Sequence, residues 1–274
     1  LYLQGLSRIG LKQYAESIES FERLLAGDDD YASVDKVLYE LAWAYRNTNA
    51  RDKSLQTFTK LIQTSPDSPL AAEAHYHLGE NYYAKGDYAK ASQEYEAAQT
   101  ATAADDLRAK SAYKLGWASY QSGKLPDALK AFDQQLEINA EDNLAADAEF
   151  MRGECYYKQN QFEDAFEAYR RAKAKPSRNE TMQVLTLLHG GQSAAQLKDW
   201  NTSLEWLAEL QSNFPNSAYL PQATYERGWA QRNLGQLDDA LNSFNQVTAT
   251  SRNELGARAR FMIGEVLFEQ KDYN

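Results

Sequence analysis

The chain is 274 residues long, with 29 Lys and Arg against 39 Asp and Glu and a formal net charge of -10. That balance opposes nucleic-acid binding, because neutralising phosphates needs clustered Lys and Arg and no basic stripe is present. No apolar run approaches the roughly 20 residues that cross a bilayer, and the single cysteine, Cys155, has no partner for an internal disulfide.

The elements return with a fixed period. A small residue recurs at Gly5, Ala42, Gly79, Gly116, Gly153, Gly191, Gly228 and Gly264, at intervals of 37, 37, 37, 37, 38, 37 and 36 residues. A period held over the whole length marks a stack of one supersecondary unit, each burying its apolar face against its neighbours. The predicted repeats cover approximately residues 1–30, 31–67, 68–104, 105–141, 142–178, 179–215, 216–251 and, in part, 252–274, in one continuous domain.

Each repeat reads as two amphipathic helices joined by a short turn. In the third, Tyr76, Leu78, Tyr82 and Tyr83 belong to one helix, Gly86-Asp87 punctuates, and Ala91, Tyr95 and Ala98 mark the inner stripe of the next. Sustained period-2 alternation is missing, so no strand is expected. Twelve residues after the first small column stands a second: Ser17, Ser54, Ala91, Ala128, Ala165, Ser203 and Ala240. Four further on comes a bulky one: Phe21, Phe58, Tyr95, Phe132, Tyr169, Leu207 and Phe244. Small residues let two helix backbones approach, and the large side chain one turn later fills the space between pairs. Asn49, Gly86, Gly123, Asn160 and Gly235 are suited to the left-handed conformation that ends a helix. Pro126 falls near a helix start, and Pro66 and Pro215 close second helices.

The arrangement Leu78-Gly79-x-x-Tyr82, Gly86-Asp87-Tyr88, Ala91, Tyr95 resembles the tetratricopeptide repeat, and Leu115-Gly116, Gly123, Ala128, Phe132 repeats it. The resemblance covers essentially the whole chain. It implies an all-α fold, a right-handed α-α superhelix of seven helix-turn-helix repeats plus the first helix of an eighth. Departures are local: Gly190 replaces the usual Leu, Ala42 replaces a glycine, and the period is longer than the familiar one. The connectors Ser65-Pro66-Asp67-Ser68-Pro69 and Phe214-Pro215-Asn216-Ser217 are similar to those of bacterial cell-envelope members, of the Tol-Pal accessory protein and β-barrel assembly lipoprotein types. Leu1 lies inside a first helix, and residues 271–274 read as a turn leading to another second helix, so an excerpt of a longer chain is expected. Val266, Leu267 and Phe268 are expected to be exposed there and to favour end-to-end packing.

The resemblance implies that first helices line a concave groove. Groove positions are placed three before, one after and four after each small residue, a spacing that keeps them on one helical face. The first column is Tyr2, Tyr39, Tyr76, Tyr113, Phe150, Leu188, Tyr225 and Phe261, and packing between helices accounts for most of it. The second is Leu6, Trp43, Glu80, Trp117, Glu154, Gln192, Trp229 and Glu265. The third is Ile9, Arg46, Tyr83, Tyr120, Tyr157, Ala195, Arg232 and Phe268. Trp and Tyr offer large contact area with a polar handle, and carboxylates at Glu80, Glu154 and Glu265 favour basic ligand side chains. The candidate partner-binding residues are Trp43, Tyr76, Glu80, Tyr83, Tyr113, Trp117, Tyr120, Glu154, Tyr157 and Trp229. The competing reading is that these side chains solvate the inner face or support packing. Capture of a partner's C-terminal carboxylate is disfavoured, since Tyr, Trp and Glu stand where that mode uses Lys and Asn.

Catalytic and metal constellations are weak. His75 and His77 diverge by about 200° on a helix, unlike the i, i+4 spacing of helical zinc sites. Asp28, Asp29 and Asp30 lack the spacing of a calcium loop and read as a solvated connector. Cys155 reads as inert packing. No catalytic, cofactor or metal residue is assigned. The expected function is a non-catalytic scaffold binding a peptide or protein partner, with self-association also open, in the periplasm or envelope. The alternatives are a substrate-recruiting or regulatory module of a larger enzyme, and a cytoplasmic setting.

Overall fold

The computed structural model describes residues 1–27, 31–100, 103–141, 144–175, 177 and 179–271. The acidic connector at 28–30 and residues 272–274 of the expected last turn lie outside the described residues. The described residues form fifteen α-helices and no strand. They fall into two compact units.

The first unit, Leu1–Ala140, contains α1 (Tyr2–Gly10), α2 (Tyr14–Gly27), α3 (Val34–Asn47), α4 (Arg51–Thr64), α5 (Pro69–Ala84), α6 (Tyr88–Ala97), α7 (Asp105–Gln121) and α8 (Leu125–Ile138). The second, Glu141–Asn274, contains α9 (Ala145–Lys158), α10 (Phe162–Ala174), α11 (Glu180–Gln196), α12 (Trp200–Asn213), α13 (Leu220–Asn233), α14 (Leu237–Thr250) and α15 (Glu254–Glu269). Within each unit every helix packs on its successor, and first helices of neighbouring repeats also touch: α1 with α3, α3 with α5 and α5 with α7, then α9 with α11, α11 with α13 and α13 with α15. The odd-numbered helices therefore form a row in each unit.

The packing follows from the small and bulky columns. Phe21, Phe58, Tyr95, Phe132, Tyr169, Leu207 and Phe244 are fully buried. Each glycine of the first column before α15 faces the large side chain sixteen residues on, so closely that a Cβ on Gly116 would stand 2.5 Å from Phe132 Cε1 and one on Gly228 2.8 Å from Phe244 Cε1. Ser54 Oγ donates to the Ala42 carbonyl at 2.8 Å, tying the two small columns of one repeat together. The departure at Gly190 has a steric cause: a Cβ there would run into the indole of Trp206, which is 6 % exposed.

Helix ends follow local rules. Ser68 and Asp87 cap α5 and α6 by accepting from the Leu70 and Lys90 amides, at 3.1 and 3.2 Å. Pro69 and Pro126 occupy first-turn positions, and Pro66 and Pro215 follow the ends of α4 and α12. The turn residue seven after each small position is left-handed throughout: Asn49, Gly86, Gly123, Asn160 and Gly235, as expected, but also Lys12, Lys198 and Lys271. A left-handed backbone brings Cβ close to the following carbonyl, at about 1–2 kcal/mol per residue. Lys12→Gly is therefore expected to raise stability by up to about 1 kcal/mol, since the gain is partly offset by glycine's extra entropy unfolded. A shift of the urea midpoint in the opposite direction contradicts this.

One sequence expectation is corrected. Val266 is not exposed: it is fully buried against α14 in a cluster with Phe244, Val247, Ala259 and Met262. Phe268 is 68 % exposed, as expected, and Phe261 is exposed with it.

Candidate functional site

Of the ten candidate side chains, Trp43, Tyr76, Glu80, Tyr83, Tyr113, Trp117 and Tyr120 lie on α3, α5 and α7 of the first unit, and Glu154, Tyr157 and Trp229 on α9 and α13 of the second. Tyr76 and Tyr113 belong to the column that precedes the small residue, and their rings pack on the core. Tyr76 lies 5.9 Å from Tyr95 and Tyr113 6.1 Å from Phe132. The same contact recurs as Tyr39–Phe58, Phe150–Tyr169 and Tyr225–Phe244. Burial, and then the nearby Glu80 carboxylate, push the Tyr76 hydroxyl up to about 12.

The column after the small residue is coupled to the buried ring. Tyr95 Oη donates to Glu80 Oε1 at 2.5 Å, and Tyr169 Oη donates to Glu154 Oε1 at 2.6 Å. A hydroxyl on a fully buried ring needs an acceptor, and the carboxylate fifteen residues earlier supplies it. Where the buried side chain is Phe, the position fifteen residues earlier holds Leu6, Trp43, Trp117 or Trp229, and where it is Leu207, Gln192. Glu80 and Glu154 therefore complete the interior. Both columns are visible in the sequence; their pairing is the signal that identifies this role.

A further column, two residues before each small position, was not singled out from the sequence. It meets the preceding repeat. Lys114 Nζ stands 3.0 Å from Glu80, His189 Nδ1 2.5 Å from Glu154, and Gln192 Nε2 donates to Glu226 Oε1 at 2.8 Å. In the first unit the His77 ring sits edge-on to Trp43 and stacked on Phe58, at 5.2 and 5.1 Å, beneath Arg46, whose guanidinium lies over Trp43. His75, two residues away, turns instead to Glu94 on α6 at 2.7 Å. The two histidines point to different helices.

Burial, reinforced by Arg46, lowers the His77 imidazole from its ordinary 6.5 to about 4. The neutral ring is thus favoured in the folded state. Its contribution to stability is complete above about pH 6.5 and falls as the pH drops towards 4. In a urea-unfolding series, His77→Phe is expected to flatten the loss of stability over that window; an unchanged pH dependence contradicts the assignment. Cys155 is fully buried, and burial followed by Glu154 pushes its thiol up to about 12, which fits inert packing.

Accessible aromatic surface remains in both rows. In the first unit Trp117 and Tyr120 lie 6.3 Å apart, and Tyr83 packs on Tyr88 at 5.2 Å with the Lys114 ammonium over its ring. In the second, Tyr157, Gln192, Trp200, Glu226 and Trp229 line a cleft of about 320 Å³. Trp229 is 37 % exposed, and Arg232, paired with Glu265 and Glu269, lies over its ring. No helix of the described residues is long and apolar enough to cross a membrane.

A family model described as Tetratricopeptide repeat matches residues 2–69, 39–106, 113–179 and 225–274. The chain belongs to the tetratricopeptide repeat family, whose members typically serve as protein–protein interaction scaffolds. No curated protein sequence matches it. Among solved structures, the C-terminal part of a TPR repeat-containing protein from Cytophaga hutchinsonii is similar at a TM-score of 0.67 and 16 % identity, over 94 % of this chain and 99 % of that one. YrrB, described as a TPR protein with an unusual peptide-binding site, is similar at 0.59 and 17 %, over 74 % and 97 %. PilF of Pseudomonas aeruginosa is similar at 0.56 and 18 %, over 81 % and 93 %. At these identities the likeness concerns the fold.

Proposed function

We propose that this chain is a non-catalytic scaffold that holds a peptide segment of a protein partner on its rows of first helices. The observation that carries the reading is the set of half-exposed aromatic side chains on those rows: Tyr83, Trp117 and Tyr120 in one unit, Tyr157 and Trp229 in the other. Tryptophan and tyrosine give much contact area for little conformational entropy, the composition of binding hot spots. Preformed helices spare most of the ordering cost of binding. The peptide-binding site named for YrrB supports the reading by fold analogy. The proline- and serine-bearing connectors support a setting in the bacterial cell envelope, with envelope proteins or further copies of the chain as partners.

The test is selection of a displayed random dodecapeptide library on the full chain, followed by titration of synthetic peptides. Trp117→Ala with Tyr120→Ala is expected to weaken peptides seated on the first unit about tenfold or more while the melting curve keeps its cooperativity. A folded double variant that binds every selected peptide as the parent does excludes that row as a site.

A further inference from the structure

The cleft of the second unit combines aromatic walls with a carboxylate. Tyr157 comes from α9, Gln192 from α11, Glu226 and Trp229 from α13, Lys198 from the turn before α12 and Trp200 from the first position of α12. At about 320 Å³ it lies at the small end of the roughly 300–1,000 Å³ range of ligand pockets, a size for one long side chain rather than a folded element. Glu226 differs from Glu80 and Glu154 because no buried tyrosine uses it. Its hydrogen bond is to the neutral Gln192 amide at 2.8 Å, and no Lys or Arg lies within ion-pair distance among the described residues. Arg258 and His189 act on it from further away, yet burial outweighs them and the Gln192 hydrogen bond, and holds its carboxyl above the ordinary carboxylate range.

We propose that this cleft receives one arginine or lysine side chain of a bound protein segment, with the cationic head on Glu226 and the stem and charge against Trp229, Tyr157 and Trp200. The inference rests on the scaffold reading above and names the side chain that this part of the row selects. An apolar side chain would cover the carboxylate without pairing it, and an acidic one would repel it. A cation supplies a charge-assisted hydrogen bond and a cation–π contact together. Trp229 already carries one guanidinium, that of Arg232, over its ring. Lys198 is exposed, as is Arg258, so both can turn their charges to water. The net charge of -10 draws basic segments towards the chain.

The experiment uses the same random dodecapeptide library on the full chain, then synthetic peptides in which each Arg or Lys is replaced by citrulline or norleucine. For peptides seated here, one such replacement is expected to weaken binding about tenfold on the parent chain and less than twofold on Glu226→Gln. Glu226→Gln keeps the shape of the side chain, and its fold is checked by far-ultraviolet circular dichroism and melting. Trp229→Leu, at a partly exposed position, provides a second variant, expected to weaken the same peptides several-fold. Peptides that bind without any basic requirement, or whose basic residue matters equally on parent and Glu226→Gln, overturn the inference and leave the scaffold reading standing. A library that yields no binding peptide overturns both.

Discussion

Phe132→Ala is expected to lower the unfolding free energy by about 3–5 kcal/mol, the range for removing a large ring from a well-packed interior. Phe132 is fully buried, rests on the bare backbone of Gly116 and packs its ring on Tyr113 at 6.1 Å. The cavity would be bounded by α7 and α8, and two rigid helices cannot close on it fully. Because a repeat is supported chiefly by its neighbours, native-state hydrogen exchange should quicken first in α7 and α8 and least in α3. A loss below about 1 kcal/mol, or exchange that quickens uniformly, contradicts this account of the stack. The reverse change, Ala128→Trp, overpacks a fully buried position on α8 and is expected to destabilise the same region.

Glu154→Leu is expected to cost about 1–3 kcal/mol, the penalty for leaving a buried polar group unsatisfied, because it removes the acceptor of Tyr169 Oη at 2.6 Å and the partner of His189. Burial alone would raise the Glu154 pKa, but the His189 and Tyr169 hydrogen bonds outweigh it and hold the carboxyl below its ordinary 4.5. The ionised form is therefore favoured by folding. Its contribution is present above about pH 4.5 and is lost as the pH falls through the lowered value. The sharper test is a double-mutant cycle. Glu154→Trp with Tyr169→Phe installs the side chains found as Trp43 and Phe58, which already accommodate a histidine, His77, in the place that His189 holds here. The double variant should be more stable than the sum of the single changes implies, by at least about 1 kcal/mol. Additive losses would separate the two positions.

The architecture was legible because its determinants are steric and periodic. Gly79 and Gly116 can be read as close-approach positions, and Tyr95 and Phe132 as their fillers, without coordinates. The turns were legible at Asn49, Gly86 and Gly235 and hidden at Lys12 and Lys198, where lysine masks a left-handed backbone that the register alone would reveal. The inner rows were less legible. A glutamate one helix position from a small residue looks free until its hydroxyl partner, fifteen residues on, is brought back by the turn. The column holding His77, Lys114, His189 and Glu226 went unread because its contacts run to the preceding repeat, and a per-repeat consensus does not display a relation between repeats. Tyr113 shows why the first column is hard to read: the same aromatic side chain suits a groove or a core, and here it is 9 % exposed and packed on Phe132, in line with the packing that accounts for most of that column.

The pairing of interior ring with inner-row residue constrains which side chains a repeat can carry on its inner row. A single oxygen atom, present on Tyr95 and Tyr169 and absent from Phe21, Phe58, Phe132 and Phe244, separates the repeats that carry a carboxylate there from those that carry an indole or, at Leu6, an aliphatic side chain. Altering the outward letter alone strands a hydroxyl, and altering the hidden one alone strands a charge. A change of inner-row chemistry in such a repeat therefore calls for two coupled substitutions, fifteen residues apart in the chain.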